Sequence, residues 1–79
     1  YTDVVSFNYY TYGIDRAFID AMIPHHLGAL MMTEMAIQQA THPELASAAQ
    51  AMFDMQIDEI QTMRTWRAEW YGVRATPAS

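Results

Sequence analysis

The chain has 79 residues, the size of one small domain, and 52% of them are hydrophobic. Its formal net charge is −5 and its four basic residues are arginines spread from Arg16 to Arg74, so we expect no patch for nucleic acid or an anionic membrane surface. No apolar run approaches the roughly 20 residues that a membrane helix needs. Without cysteine this chain has neither disulfides nor thiolate ligands, so a soft-metal site would have to use methionine and histidine.

The N-terminal segment, residues 1–13, is rich in aromatic residues and ends at Gly13. It contains four tyrosines and one phenylalanine without a helical period. Such a segment is too apolar for a free tail, so we expect an irregular arm that packs on the remainder. The sequence therefore predicts an aromatic arm at 1–14, a helical domain at 15–72 and a flexible tail at 73–79.

Two long helices follow the arm. Asp15 is a suitable N-cap for a helix over residues 16–40. A short break then leads to Pro43, which suits the first turn of a second helix over residues 43–71, ending before Gly72. Because the connection is so short, the helices must run antiparallel as a helical hairpin.

The second helix is clearly amphipathic on a helical wheel. Its predicted inner face consists of Leu45, Ala49, Met52, Phe53, Gln56, Ile60, Met63 and Trp70. Gln56 is unusual there, because a buried amide needs hydrogen-bond partners. We interpret Met52 and Met55 as packing residues, His42 as part of the turn, and Trp66 with Trp70 as a hydrophobic lock at one end.

The first helix is apolar almost all round. Its predicted inner stripe is Phe18, Met22, His25, Ala29, Met32 and Ala36, and its only polar strip runs through Arg16, Asp20, Glu34 and Gln38. One partner helix cannot cover such a surface. Ala17, Ala21 and Gly28 are small enough to let another helix approach. The sequence therefore predicts an all-α fold in which two hairpins form a homodimeric four-helix bundle, with coverage by residues 1–13 as the alternative.

A cluster of histidine and methionine marks the candidate site. Met22, His25 and His26 lie within one helical turn, and four of the seven methionines fall within fourteen residues. Besides Met22, these four methionines are Met31, Met32 and Met35. Imidazole and thioether ligands together favour soft metals, Cu(I) above all. The alternatives are that the methionines fill the core and that the histidines form a hydrogen-bonded polar patch.

A longer pattern resembles a known bacterial family, domain of unknown function 305. The matching residues are Phe18-Ile19-Asp20-Ala21-Met22-Ile23-Pro24-His25-His26, Gly28-Ala29, Met32, Thr41-His42-Pro43-Glu44-Leu45, Gln56, Glu59-Ile60, Met63 and Trp66. The resemblance implies a ferritin-like outline, an extracytoplasmic (periplasmic or secreted) location and an association with copper or silver. Many members carry the hairpin twice, whereas this chain carries it once. At the positions of Leu27 and Met31 the family usually has a polar and an acidic residue. Losing the acid and gaining a thioether gives this region a ligand set that suits softer metal ions.

The predicted function is binding of Cu(I) or Ag(I) for storage, delivery or tolerance of the metal. The candidate ligands are Met22, His25, His26, Met31, Met32 and Met35, with Gln56, Glu59 and Met63 as supporting residues. For the histidines the alternative is an imidazole bonded to Gln56 or Glu59 across the hairpin. For the function the alternative is a metal-free structural or interaction module that dimerises through its helices. A di-iron enzyme would need Glu-x-x-His motifs, which the sequence lacks, and no nucleophile–base pair indicates an enzyme.

Overall fold

The computed structural model describes residues 9–72, and all regular structure in that range is helical. A single turn, α1 (Tyr9–Tyr12), precedes two long helices, α2 (Ile14–Gln39) and α3 (Pro43–Tyr71). Only three residues connect α2 to α3, so the two helices pack against each other as a hairpin. The predicted all-α hairpin is therefore confirmed. None of the described helices combines the length and the apolarity required to cross a membrane.

The start of α2 differs from the prediction. Gly13, with φ 86°, is the N-cap, and its carbonyl accepts the first helical hydrogen bond from Ala17 at 3.1 Å. A positive φ of this size suits glycine and allows the chain to turn between α1 and α2. The prediction of Asp15 as N-cap was wrong. Asp15 lies instead in the first turn, where its carboxylate is favourable for the helix dipole.

The bounds of α3 agree with the prediction at both ends. Pro43 occupies the first turn, and Gly72 ends the helix in the left-handed conformation at φ 69°. The Gly72 amide donates to the Ala68 carbonyl at 2.9 Å. His42 precedes the helix and its ring lies 3.3 Å from the Thr41 hydroxyl, consistent with a role in the turn.

The prediction of a segment without helical structure was wrong for Tyr9–Tyr12, which form one helical turn. The Arg16 guanidinium lies 4.4 Å from the centre of the Tyr12 ring and 5.5 Å from that of Tyr71. These cation–π contacts connect the end of α1 to both long helices. The predictions for residues 1–8 and 73–79 fall outside the described residues, and the domain boundaries stay a prediction.

The apolar core lies between α2 and α3. Its centre is Ile19, Ile23 and Met63, with Met22 and Tyr71 packed against it. Ile23 is completely buried, and its position one turn from Ile19 places both on the side of α2 that faces α3. The predicted inner positions of Ala49, Ile60 and Met63 are confirmed.

A buried ion pair also holds the two helices together. The Arg67 Nε donates to Asp20 Oδ1 at 2.6 Å, and only 6% of Arg67 and 8% of Asp20 is exposed. Arg16 Nε lies 3.6 Å from the other oxygen of Asp20. Asp20 belongs to the polar strip of α2, yet it is buried, because its cationic partner on α3 holds the carboxylate in the helix interface.

The predicted inner stripe of α2 is rotated relative to the observed one. Phe18 and Met32 are exposed, and so is His25. The buried positions are Ala17, Ile19, Asp20 and Ile23. On α3, Leu45, Met52 and Trp70 were also wrongly predicted to be inside, since all three are exposed. A single partner helix covers only one narrow side of α2, so much of its apolar surface remains outside.

Candidate functional site

An open groove of about 450 Å³ runs between α2 and α3. Its lining combines two thioethers, an imidazole, two carboxylates and two aromatic rings. The residues are Phe18, Met22, His26, Asp58, Glu59, Thr62, Met63 and Trp66. We call this feature the Met22 groove. It brings together about two turns of α2 and two turns of α3, because an antiparallel hairpin places the N-terminal half of α2 beside the C-terminal half of α3.

Two methionines form the floor of the Met22 groove. Met63 is buried within the core cluster, and Met22, which is half-buried, packs against the same cluster. The two side chains come from different helices and meet in one small region. Their thioether sulfurs are therefore part of a site that is already folded, and binding a ligand there requires little ordering of the chain.

His26 is fixed at the wall of the groove by both of its ring nitrogens. Nδ1 lies 2.9 Å from the Met22 carbonyl oxygen and Nε2 lies 2.6 Å from Glu59 Oε1. A carbonyl oxygen only accepts, so Nδ1 carries a hydrogen and donates it. Nε2 is then the nitrogen that would bind a metal, since a metal-binding imidazole usually donates its other N–H to a carbonyl or carboxylate.

Because Nδ1 carries the ring hydrogen, Nε2 of His26 and the carboxylate of Glu59 can form a hydrogen bond only if a second proton lies between them. Either an imidazolium donates to the carboxylate or a protonated Glu59 donates to Nε2. The side chain of His26 is 13% exposed and that of Glu59 is 48% exposed, so solvent reaches the carboxylate more easily. A cation that binds Nε2 would replace this proton while Glu59 remains beside it. The structure thus shows the alternative in which an imidazole is hydrogen-bonded across the hairpin. The partner of that imidazole is Glu59 and not Gln56.

The second histidine does not line the groove. His25 is exposed, and its ring is packed edge-on against His26 with 6.2 Å between ring centres. Consecutive residues on a helix point about 100° apart, so both imidazoles cannot face α3. The structure therefore separates the two predicted histidine ligands, and only His26 belongs to the Met22 groove.

The remaining predicted methionine ligands lie further along α2, outside the groove. Met31, Met32 and Met35 are 68%, 72% and 53% exposed. Met52 and Met55 on α3 are similarly exposed, at 54% and 57%. The interpretation of methionine as core filler therefore fails for these five residues in the single chain.

Gln56 occupies the half-buried position on α3 that its place in the helix predicts. Its side-chain oxygen Oε1 is shielded from solvent and accepts no hydrogen bond from any residue in the described range. A buried amide oxygen without a donor is costly. In this arrangement Glu59 orients His26, and a supporting role of Gln56 stays a prediction.

Four groove residues were not among the predicted site residues: Phe18 on α2, and Asp58, Thr62 and Trp66 on α3. The three on α3 follow one another at intervals of four residues, so they lie on one side of the helix. The same interval relates Glu59 to Met63, and this spacing was the signal that could have identified them. Trp66 also stacks on Trp70, with 5.3 Å between ring centres and 5° between ring planes, which agrees with the predicted aromatic lock.

The donors in the groove decide which metals it suits. Among residues 9–72, no three side chains of histidine, cysteine, aspartate or glutamate converge in a group that would hold a metal ion. Zinc and iron sites are usually assembled from those side chains. Two thioethers beside one imidazole instead fit a soft monovalent ion.

No curated protein and no solved structure matches this chain. The sequence model of a family described as Domain of unknown function (DUF305) matches residues 15–79, which is more than half of the chain. The motif that extends from Phe18 to Trp66 lies inside this match. The chain therefore belongs to the DUF305 family.

Proposed function

We propose that this protein binds Cu(I) or Ag(I) in the Met22 groove and serves to store, deliver or sequester the ion. The observation that carries the proposal is the orientation of His26. Its Nδ1 is held by the Met22 carbonyl, which leaves Nε2 as the ligand nitrogen in a groove that also contains the thioethers of Met22 and Met63. This is a binding function, and we propose no catalytic step.

The chemistry of the lining supports a soft ion. Thioethers are neutral, polarisable ligands that bind Cu(I) and Ag(I) much better than Zn²⁺ or Mg²⁺. Asp58 and Glu59 border the same groove and supply negative charge near the cation. The Met22 carbonyl, which accepts from Nδ1, keeps the His26 ring in place in the manner of the outer groups that orient metal-bound histidines, and Glu59 gives up its bond to Nε2 when the ion binds.

The exposed methionines of α2 form an additional candidate set. Met31 and Met35 are one turn apart, and Met32 lies beside them, with all three thioethers exposed. We propose that they provide weaker, outer sites from which an ion reaches the groove. The extracytoplasmic location implied by the family resemblance stays a prediction.

A competitive titration tests the proposal. Protein is titrated with Cu(I) in the presence of a chromogenic chelator, and Zn²⁺ is titrated in parallel. We expect Cu(I) to bind far more tightly than Zn²⁺. Met22→Leu and His26→Ala should weaken Cu(I) binding at least about tenfold, because loss of an outer orienting group alone typically costs 10- to 100-fold.

His25→Ala is the matched control for His26→Ala. It removes an adjacent, exposed imidazole that does not line the groove, so its Cu(I) affinity should remain close to that of the parent. Met22→Leu keeps nearly the same volume and should cost under about 1.5 kcal/mol of stability. Absence of Cu(I) binding at micromolar protein, or equal affinity for Zn²⁺, would contradict the proposal.

A second candidate function is homodimerisation into a four-helix bundle, which is compatible with metal binding. It is favoured by side chains that are not buried and that recur at alternating intervals of three and four residues along each helix. On α2 these are Phe18, Met22, His25, Ala29 and Met32, and on α3 they are Met52, Met55, Glu59, Thr62 and Trp66. Such spacing is typical of helices that pack against other helices. A second hairpin on this side would cover the exposed Phe18, Met32 and Trp66 and enclose the groove.

Light scattering at micromolar concentration tests the dimer. The parent chain should be a dimer, and Met32→Glu should convert it to a folded monomer by placing a charge in the interface. Gln38→Glu adds the same charge at an exposed polar position of α2 and should leave the dimer intact. A parent chain that is monomeric and fully helical would refute this second function.

A further inference from the structure

Trp66 occupies a position that the core does not explain. It is 41% exposed, yet it lines the same groove as Met22, His26 and Met63. It lies one turn after Met63 on α3, so the indole and this buried thioether are neighbours on one side of the helix. A large exposed aromatic ring beside two thioethers suggests a role in the site.

The neighbouring indole holds the Trp66 ring in place. The rings of Trp66 and Trp70 are stacked nearly parallel, at 5° between ring planes, and Trp70 in turn packs edge-on against Tyr71. Tyr71 packs against the apolar core. Because one face of Trp66 is covered by Trp70, its position at the groove is fixed before any ligand arrives.

We propose that Trp66 is a further residue of the metal site, whose indole ring lies against the bound Cu(I) or Ag(I) as a cation–π contact. This inference rests on the proposed function. Two thioethers and one imidazole give three donors, which leaves one side of a soft ion open. Tryptophan is the strongest cation–π partner among the side chains, and the contact gains strength where water is excluded. The ring therefore stabilises the ion and shields it from water and competing ligands.

The chain offers a matched pair of variants, because it contains only two tryptophans. Trp70→Phe leaves Trp66 as the single indole, and Trp66→Phe leaves Trp70. Each is titrated with Ag(I), which is not redox-active under these conditions, while tryptophan emission is recorded. We expect one equivalent of Ag(I) to quench and shift the emission of Trp66 strongly in the Trp70→Phe protein, and to change that of Trp70 little.

Affinity provides an independent readout. Trp66→Leu removes the aromatic ring, and it should weaken Ag(I) binding by about 2- to 30-fold, which corresponds to the usual range of cation–π energies. Trp70→Leu removes the stacking partner and should have a smaller effect. Circular dichroism and light scattering on each variant verify that the helices and the assembly are unchanged.

The outcomes separate this inference from the function on which it rests. If competition shows that Ag(I) binds but the emission of Trp66 does not respond, or if both tryptophans respond equally, Trp66 is not in contact with the ion and the inference is overturned. Unchanged affinity of the Trp66→Leu protein has the same meaning. If neither Cu(I) nor Ag(I) binds the parent chain at all, the proposed function fails and the inference fails with it.

Discussion

Replacing Asp20 by asparagine should strongly destabilise the hairpin. The substitution keeps the size of the side chain but removes the charge that pairs with Arg67 at 2.6 Å. The side chains of Asp20 and Arg67 are 12% and 7% exposed, so water screens the pair poorly. The guanidinium of Arg67 would then remain buried without its counter-charge, which is among the more costly defects in a protein interior.

The magnitude follows from the burial of both partners. Breaking a buried ion pair by removing one member typically costs about 3–5 kcal/mol. A chain of 79 residues has a total stability of roughly 4–12 kcal/mol at the usual value per residue. Asp20→Asn should thus remove between a quarter and all of the stability. Because Asp20 lies two residues before Met22, this loss would also disturb the side of α2 that forms the Met22 groove.

Urea denaturation followed by circular dichroism measures the effect. Asp54→Asn, an exposed position on α3, is the control and should change stability by less than about 0.5 kcal/mol. The double variant Asp20→Leu with Arg67→Met replaces both charges by apolar groups and should recover most of the loss. A cost below about 1 kcal/mol for Asp20→Asn, or a double variant whose loss of stability equals the sum of the two single losses, would show that the pair between Asp20 and Arg67 does not stabilise the hairpin.

A further prediction concerns Gly28 in α2. Gly28→Ala should stabilise the hairpin by about 1 kcal/mol in thermal unfolding, since nothing in the described range lies within 4 Å of the added Cβ; a decrease would show that a helix of a second copy packs there.

The sequence predicted the hairpin well because its signals are local. Pro43 and Gly72 determine the ends of α3 through their own backbone preferences, and the short break between the helices requires them to be antiparallel. The start of α2 was less predictable. A residue such as Asp15 can either cap a helix or lie in its first turn, and the positive φ of Gly13 decides between the two.

The side of α2 that faces its partner could not be read from apolar periodicity. An almost uniformly apolar helix gives no preferred direction, and the rotation is determined by the pair between Asp20 and Arg67, which are 47 residues apart. The same rotation decides the candidate site. It brings Met22 and His26 to the groove, and it leaves His25 and Met32 exposed.

X-ray absorption spectroscopy of the Cu(I)-loaded protein would identify the atoms bound to the ion. We expect two sulfur ligands and one nitrogen ligand, contributed by Met22, Met63 and His26. The Met22→Leu protein should lose one sulfur and keep the nitrogen. A spectrum that contains only nitrogen and oxygen ligands would contradict this expectation, since the thioethers of the Met22 groove would then not bind the metal.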